Sequence, residues 1–240
     1  MPPIDVMVIL AVAVFAGTVI QGCVGLGLGL VAAPVMALVA PDLMPGGLLW
    51  LTLLLPLLTV GREWAEVDWW GLRWALLGRL PATAVGAWVV SVMSAEALGV
   101  AIGVVILLAV VLTARTFRLP MRPSVLVTAG VVSGISGTAT SIGGPPLALV
   151  YQRELGPRVR ATLGVYFVVG VAVSLTALGV VGELTMAQTM TAAWLAPLMV
   201  AGFAVSLVVR RRIDGDLLRV IVMVVCALSA TTLIVRSLAG

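Results

Sequence analysis

The stretch GTATSIGGPP, residues 137–146, sits in the middle of an apolar run that extends from residue 125 to residue 151. Three glycines and two prolines in ten residues cannot continue a helix, since glycine costs about 1 kcal/mol and proline about 3 kcal/mol in a helix interior. A second break, GCVGLGLG at residues 22–29, interrupts the run from 4 to 40. At membrane depth, irregular backbone is tolerated only where it is buried in protein or lines a cavity. Whether these two stretches lie in a membrane therefore decides how the chain folds.

Composition answers that. The 240 residues are 62% hydrophobic and only 10% charged, with a mean hydropathy of +1.23; soluble domains carry about 25% charged residues. Further apolar runs lie at about 46–61, 69–90, 97–114, 161–181, 190–209 and 217–235. They suit helices crossing a hydrocarbon core about 30 Å thick, and are too long and continuous for tilted barrel strands. The chain is thus expected to be an all-α polytopic membrane protein. All 14 basic residues are arginines in a chain of net charge +4. Most fall in short loops, a pattern of topology and not of nucleic-acid binding. Cys23 and Cys226 have no metal-ligand company, so no metal and no cofactor is expected. The first five residues carry no basic side chain and lead straight into apolar sequence, which argues against a cleaved signal peptide.

The two broken runs organise the rest. Each is followed by three ordinary runs, and RTFRLPMRP at 115–123 divides the chain near its middle. This gives a first repeat at 1–114, a linker at 115–124 and a second repeat at 125–240, integrated into one membrane domain. A constant offset of 112 superposes Gly22 on Gly134, Gly25 on Gly137, Pro34 on Pro146, Pro45 on Pro157 and Leu51 on Leu163. It also brings Gly27 and Gly29 onto the small residues Ala139 and Ser141.

Loops 115–123, 152–160 and 210–216 are arginine-rich, whereas 91–96 and 182–188 contain no arginine. The positive-inside rule puts the first three in the cytoplasm. Two of them flank the broken run 125–151, which must then enter and return as a hairpin. A hairpin plus three crossings is an odd number of passes, so the second repeat is inserted upside down. Two inverted repeats, each a glycine-rich broken hairpin plus three transmembrane helices, are the architecture of many secondary transporters.

The breaks are the natural place for a solute. Helix N-termini attract anions, and glycines let backbone approach a ligand. Hydroxyls of Ser136, Thr138, Thr140 and Ser141, with Ser133 nearby, and the side chains of Gln21 and Cys23 supply polar groups. Small residues also serve close helix packing, and both readings stand at this level. Arg79 lies inside the run 69–90, where it either contacts an anion or snorkels to the cytoplasmic face beside Arg73. Arg158 and Arg160 set topology or guide anions to the inner mouth. Trp64, Trp69, Trp70 and Trp74 gather at one membrane boundary as an interfacial belt. No Asp or Glu falls inside a confident span. With no histidine and no nucleophile–base arrangement either, an enzyme is not expected.

The stretches GTVIQGCVGLGLGLVAAPVMAL (17–38), GVVSGISGTATSIGGPPLALV (130–150) and PRVRATLGVYFVVG (157–170) together resemble the paired signatures of the TauE/SafE sulfite exporter family. The chain differs in alternating glycine with leucine in the first signature, and in carrying Pro145–Pro146 in the second. The resemblance implies transport of sulfite, sulfonates or similar sulfur-containing anions, chiefly efflux. It also implies glycine-rich segments around the pathway: Gly22, Gly25, Gly27, Gly29 and Pro34, with Gly134, Gly137, Gly143, Gly144 and Pro146. The expected function is a secondary transporter or uniporter exporting a small anionic substrate by alternating access across the inner membrane. Uptake of a sulfur compound and a non-transporting scaffold subunit are the alternatives. Expected partners are that anion and membrane lipid, without nucleic acid; pairing into a homodimer is left open.

Overall fold

The computed structural model describes residues 2–24, 27–60, 64–114, 119–209 and 215–239. Among them are ten α-helices: α1 (Ile4–Val24), α2 (Leu28–Val39), α3 (Gly46–Val60), α4 (Trp69–Val92), α5 (Ala95–Ala114), α6 (Pro123–Thr140), α7 (Gly144–Tyr151), α8 (Gly156–Val180), α9 (Met186–Val209) and α10 (Gly215–Ala239). Six of them, α1, α4, α5, α8, α9 and α10, contain stretches long and apolar enough to cross a membrane. Large apolar side chains such as Trp88, Leu108, Val208 and Leu228 stand exposed on the outside of the bundle. Such a surface suits lipid and not water.

Local chemistry sets the helix ends. Proline stands in the first turn of α6, α7 and α8, where its missing N–H costs nothing. Helix α6 stops at Ser141, which adopts φ 62°, ψ 13°. This left-handed conformation reverses the chain, and the Ser141 hydroxyl donates to the Pro45 carbonyl at 2.9 Å.

Both broken runs are hairpins. Helix α2 folds back on α1, so that a Cβ at Gly17 would lie 3.2 Å from the Leu28 Cα. Helix α7 folds back on α6, bringing Gly143 against Gly137. The breaks are narrower than the glycine-rich stretches suggest. Gly22, Gly134 and Gly137 belong to the incoming helices, and Gly29, Gly144 and Pro146 to the outgoing ones. The starts of α2 and α7, Leu28 and Gly144, are 116 residues apart instead of 112. A slip of four is about one helical turn; it preserves the faces that glycine matching detects and shifts only depth. Helix α3, with 15 described residues, reaches about 22 Å at 1.5 Å per residue and carries the chain from the end that holds 41–44 toward the end that holds 64–68.

The helices pack by backbone contact at glycines. Helix α4 lies along α6, with Gly78 against Val127, Gly134 against Arg79 and Gly86 against Thr138, so the two run in the same direction. Helix α1 lies along α9 in the same way, with Gly202 against Phe15 and Gly22 against Ser206. Helices α5 and α10 run oppositely, Gly99 meeting Ser237 and Gly103 meeting Ala230. Advancing each helix number by five carries the α4–α6 seam onto α9–α1, α3–α9 onto α8–α4, and α2–α10 onto α7–α5, all of which are packed pairs.

The two ends of the bundle differ. At one end, residues of the 41–44, 93–95 and 183–188 segments line a cavity of about 310 Å³. There the Gln188 amide donates to the Asp42 and Met44 carbonyls at 3.1 and 3.3 Å. At the other end, the Tyr151 hydroxyl donates to Asp68 at 2.9 Å. Asp68 also pairs with Arg158 at 3.3 Å, and its backbone N–H donates to Thr162. Segments 64–68 and 151–162 therefore share one end, and 93–95 and 182–186 the other, as the distribution of arginines requires. The arginines at 115, 118 and 210–212 lie outside the described residues.

Candidate functional site

The tips of the two hairpins meet. A Cβ on Gly29 would lie 3.1 Å from the Ser141 carbonyl oxygen and 3.6 Å from Ile142, so glycine lets α2 approach the second break without displacing it. Between the tips lies a cavity of about 60 Å³, several times the roughly 10–15 Å³ that a single water needs by the same measure. Gln21, Gly27 and Gly29 line it from the first hairpin, and Gly137, Ser141, Gly143 and Gly144 from the second. Leu49, Thr52 and Pro56 of α3 and Phe167 and Val171 of α8 close its sides.

Arg79 completes the wall. It is only 1% exposed, so it does not snorkel beside Arg73; the structure overturns that reading. Its position follows from α4, whose small residues Ala75, Gly78 and Ala82 admit the α6 backbone and leave the long side chain room only inward. The guanidinium carbon stands 4.5 Å from the Tyr166 ring and 5.8 Å from the Phe167 ring, a cation–π arrangement. Nη1 donates to the Ser133 hydroxyl at 3.4 Å, while Nε has no hydrogen-bond partner. Among the described residues, both ion pairs belong to Arg158 and none to Arg79. A buried charge without a counter-ion costs several kcal/mol.

The hydroxyls are less available than the sequence suggests. Ser136 donates to the Val132 carbonyl at 2.8 Å, with the Ile142 carbonyl at 3.2 Å as the alternative acceptor; Thr140 donates to the Ser136 carbonyl and Ser141 to the Pro45 carbonyl. Thr138 shares a 2.8 Å bond with Ser174, and Ser133 donates to the Gly143 carbonyl. Helical Ser and Thr satisfy themselves on the preceding turn, and Ser136 and Thr140 do so here. Of this group only Ser141 lines the cavity. On the first hairpin, the Gln21 carbonyl oxygen accepts from the Leu28 N–H at 2.9 Å, capping α2.

Several expected site residues do other work. Gly22 packs on Ser206 of α9, and Gly134 on the Arg79 backbone of α4. The Cys23 thiol lies 4.0 Å from the Ser206 carbonyl. Pro34 and Pro146 stand inside α2 and α7, away from the cavity lining, and Gly25 lies outside the described residues. Thr52, Phe167 and Val171, together with Tyr166 against Arg79, went unnoticed in the sequence. The faint signals were a hydroxyl in the middle of the apolar run of α3 and an adjacent aromatic pair in α8.

Comparison with curated proteins and with solved structures yields no match. A family model described as Sulfite exporter TauE/SafE matches residues 9–233, which takes in α2 to α9 whole, most of α1 and α10, and Arg79. The chain belongs to the sulfite exporter TauE/SafE family, whose members are membrane transporters of sulfur-containing anions.

Proposed function

We propose that the chain exports sulfite or a small sulfonate across the inner membrane, passing it through the cavity between the hairpin tips by alternating access. One observation carries this reading: two glycine-bounded helix breaks and a buried guanidinium with no ion pair among the described residues converge on the same space. Arg79 supplies the charge for the anion. Gln21, Ser141 and the backbone around Gly29 and Gly143 frame it, and the rings of Tyr166 and Phe167 hold the guanidinium in place.

An inverted pair of repeats, 1–114 and 125–240, provides the machinery. Supporting this, the helix seams repeat when the numbering advances by five. Helices α5 and α10, which such an operation exchanges, run in opposite directions, as a two-fold axis in the membrane plane requires. With the Asp68–Arg158 end in the cytoplasm, outward movement of one negative charge is favoured by about 2.3 kcal/mol per 100 mV of inside-negative potential. Export then needs no carboxylate relay within the membrane.

The test is flux in liposomes. Purified protein should release labelled sulfite or methanesulfonate faster under a potential that is negative on the loaded side, and Arg79→Gln should abolish release while remaining folded. Absence of flux for every sulfur oxyanion tested, from folded protein, refutes the reading.

A further inference from the structure

Granting the transport reading just given, we infer that the species carried is a monoanion, because the cavity offers one uncompensated positive charge and no more. The charge inventory around Arg79 can be taken element by element. Helix α6 has no ionisable side chain, and neither does α3. Helix α8 presents the Tyr166 ring to the guanidinium. Its charged groups, Arg158 and Arg160, stand in its first turns, and Arg158 is engaged by Asp68 and Glu154. On α7 the only titratable group is Tyr151, at the end away from the cavity and bonded to Asp68. In the first hairpin Asp5 stands at the opposite end of α1 from the tip, and Cys23 lies against α9. On α4 itself, Arg73 is exposed and lies over the Trp74 ring; Asp68, just before the helix, precedes Arg79 by eleven residues, about 16 Å along the axis.

Helix dipoles do not change the count. Each tip places the N-terminus of an outgoing helix, α2 or α7, beside the C-terminus of an incoming one, α1 or α6. Their partial charges, about +0.5 and −0.5, offset one another. In addition, Gln21 already caps the first amide of α2. Among the described residues, Arg79 is therefore the one integer charge lining the space. A bound monoanion makes the site neutral, whereas a dianion leaves it with a net negative charge among aromatic rings, whose faces are themselves negative, and backbone carbonyls. Sulfite exchanges between a singly and a doubly charged form near neutral pH, so the site selects the protonated form, hydrogen sulfite, and discriminates against sulfate at equal size.

The experiment uses wild-type protein in liposomes and three probes. Methanesulfonate is a monoanion throughout the neutral range, sulfate a dianion throughout, and sulfite changes between the two. Methanesulfonate flux should stay level as pH rises through neutrality, sulfite flux should fall in proportion to its monoanion fraction, and sulfate flux should be at least about 100-fold slower. Sulfate moving as fast as methanesulfonate, or sulfite flux rising with pH while methanesulfonate stays level, overturns the monoanion assignment and leaves the transport reading intact. Failure of all three probes to move would instead refute the transport reading itself.

Discussion

Gly170 of α8 faces the Arg79 side chain, and replacing it with alanine tests the site without touching its charge. A methyl group there would overlap Nε and Cζ and come within 2.6 Å of Cδ, where ordinary contact is 3.4–4 Å. The arginine must therefore retreat by about 1 Å or more. Tyr166 blocks one direction and α6 at Gly137 another, so the guanidinium is expected to move into the cavity of about 60 Å³, the space proposed for the anion. Overpacking of this kind costs about 1–3 kcal/mol, within what a folded membrane protein tolerates. A misplacement of about 1 Å at a site of this kind costs up to 100-fold in rate. Gly170→Ala should thus lower anion flux in liposomes by about 10- to 100-fold, with a modest loss of thermal stability in detergent. Gly179→Ala on the same helix is the control, since its methyl would find only Leu184 at 3.9 Å and should change neither property. Wild-type flux and affinity in folded Gly170→Ala protein would show that the position of Arg79 is irrelevant to transport.

Arg79→Met should end transport yet stabilise the protein by about 1–4 kcal/mol, as replacing buried ionic groups by apolar ones of similar volume does elsewhere; unfolding in detergent measures it. Tyr151→Phe removes a hydrogen bond to the Asp68 carboxylate and should cost about 1.5–3 kcal/mol, read as a lower unfolding temperature. Gly130→Val would drive a side chain into the Ala75 carbonyl across the α4–α6 seam, so little folded protein should be recovered on size exclusion. With Cys23 and Cys226 replaced, Ser94→Cys and Leu119→Cys should react with an impermeant thiol reagent from opposite faces of the membrane; labelling from the same face would refute the topology.

Much of the helical plan was legible because lipid imposes one strong rule, that backbone groups must pair within their own segment. Long apolar runs and glycine–proline breaks then mark helices and their interruptions. Depth was not legible. The offset of 112 matched glycines that lie on corresponding faces, while the hairpin tips at Gly27 and Gly143 stand one turn out of that register. Nor does glycine announce its task. Gly22 and Gly134 carry no side chain because another helix touches them, whereas Gly29 carries none because the other hairpin tip does. The direction of Arg79 depended on tertiary neighbours. Only the α6 and α8 surfaces, with Ser133 and Tyr166, make inward burial preferable to reaching for water.

The seam between α4 and α6 has a mechanical consequence. Where Gly78 meets Val127 and Gly130 meets Ala75, main chain bears directly on main chain. A side-chain interface can slide by exchanging rotamers, but two touching backbones are keyed together and resist axial slip. The cation at residue 79 thus rides on a stiff two-helix strut. If the proposed alternating access operates, the motion that turns an anion from one compartment toward the other is expected in the parts around that strut and not within it.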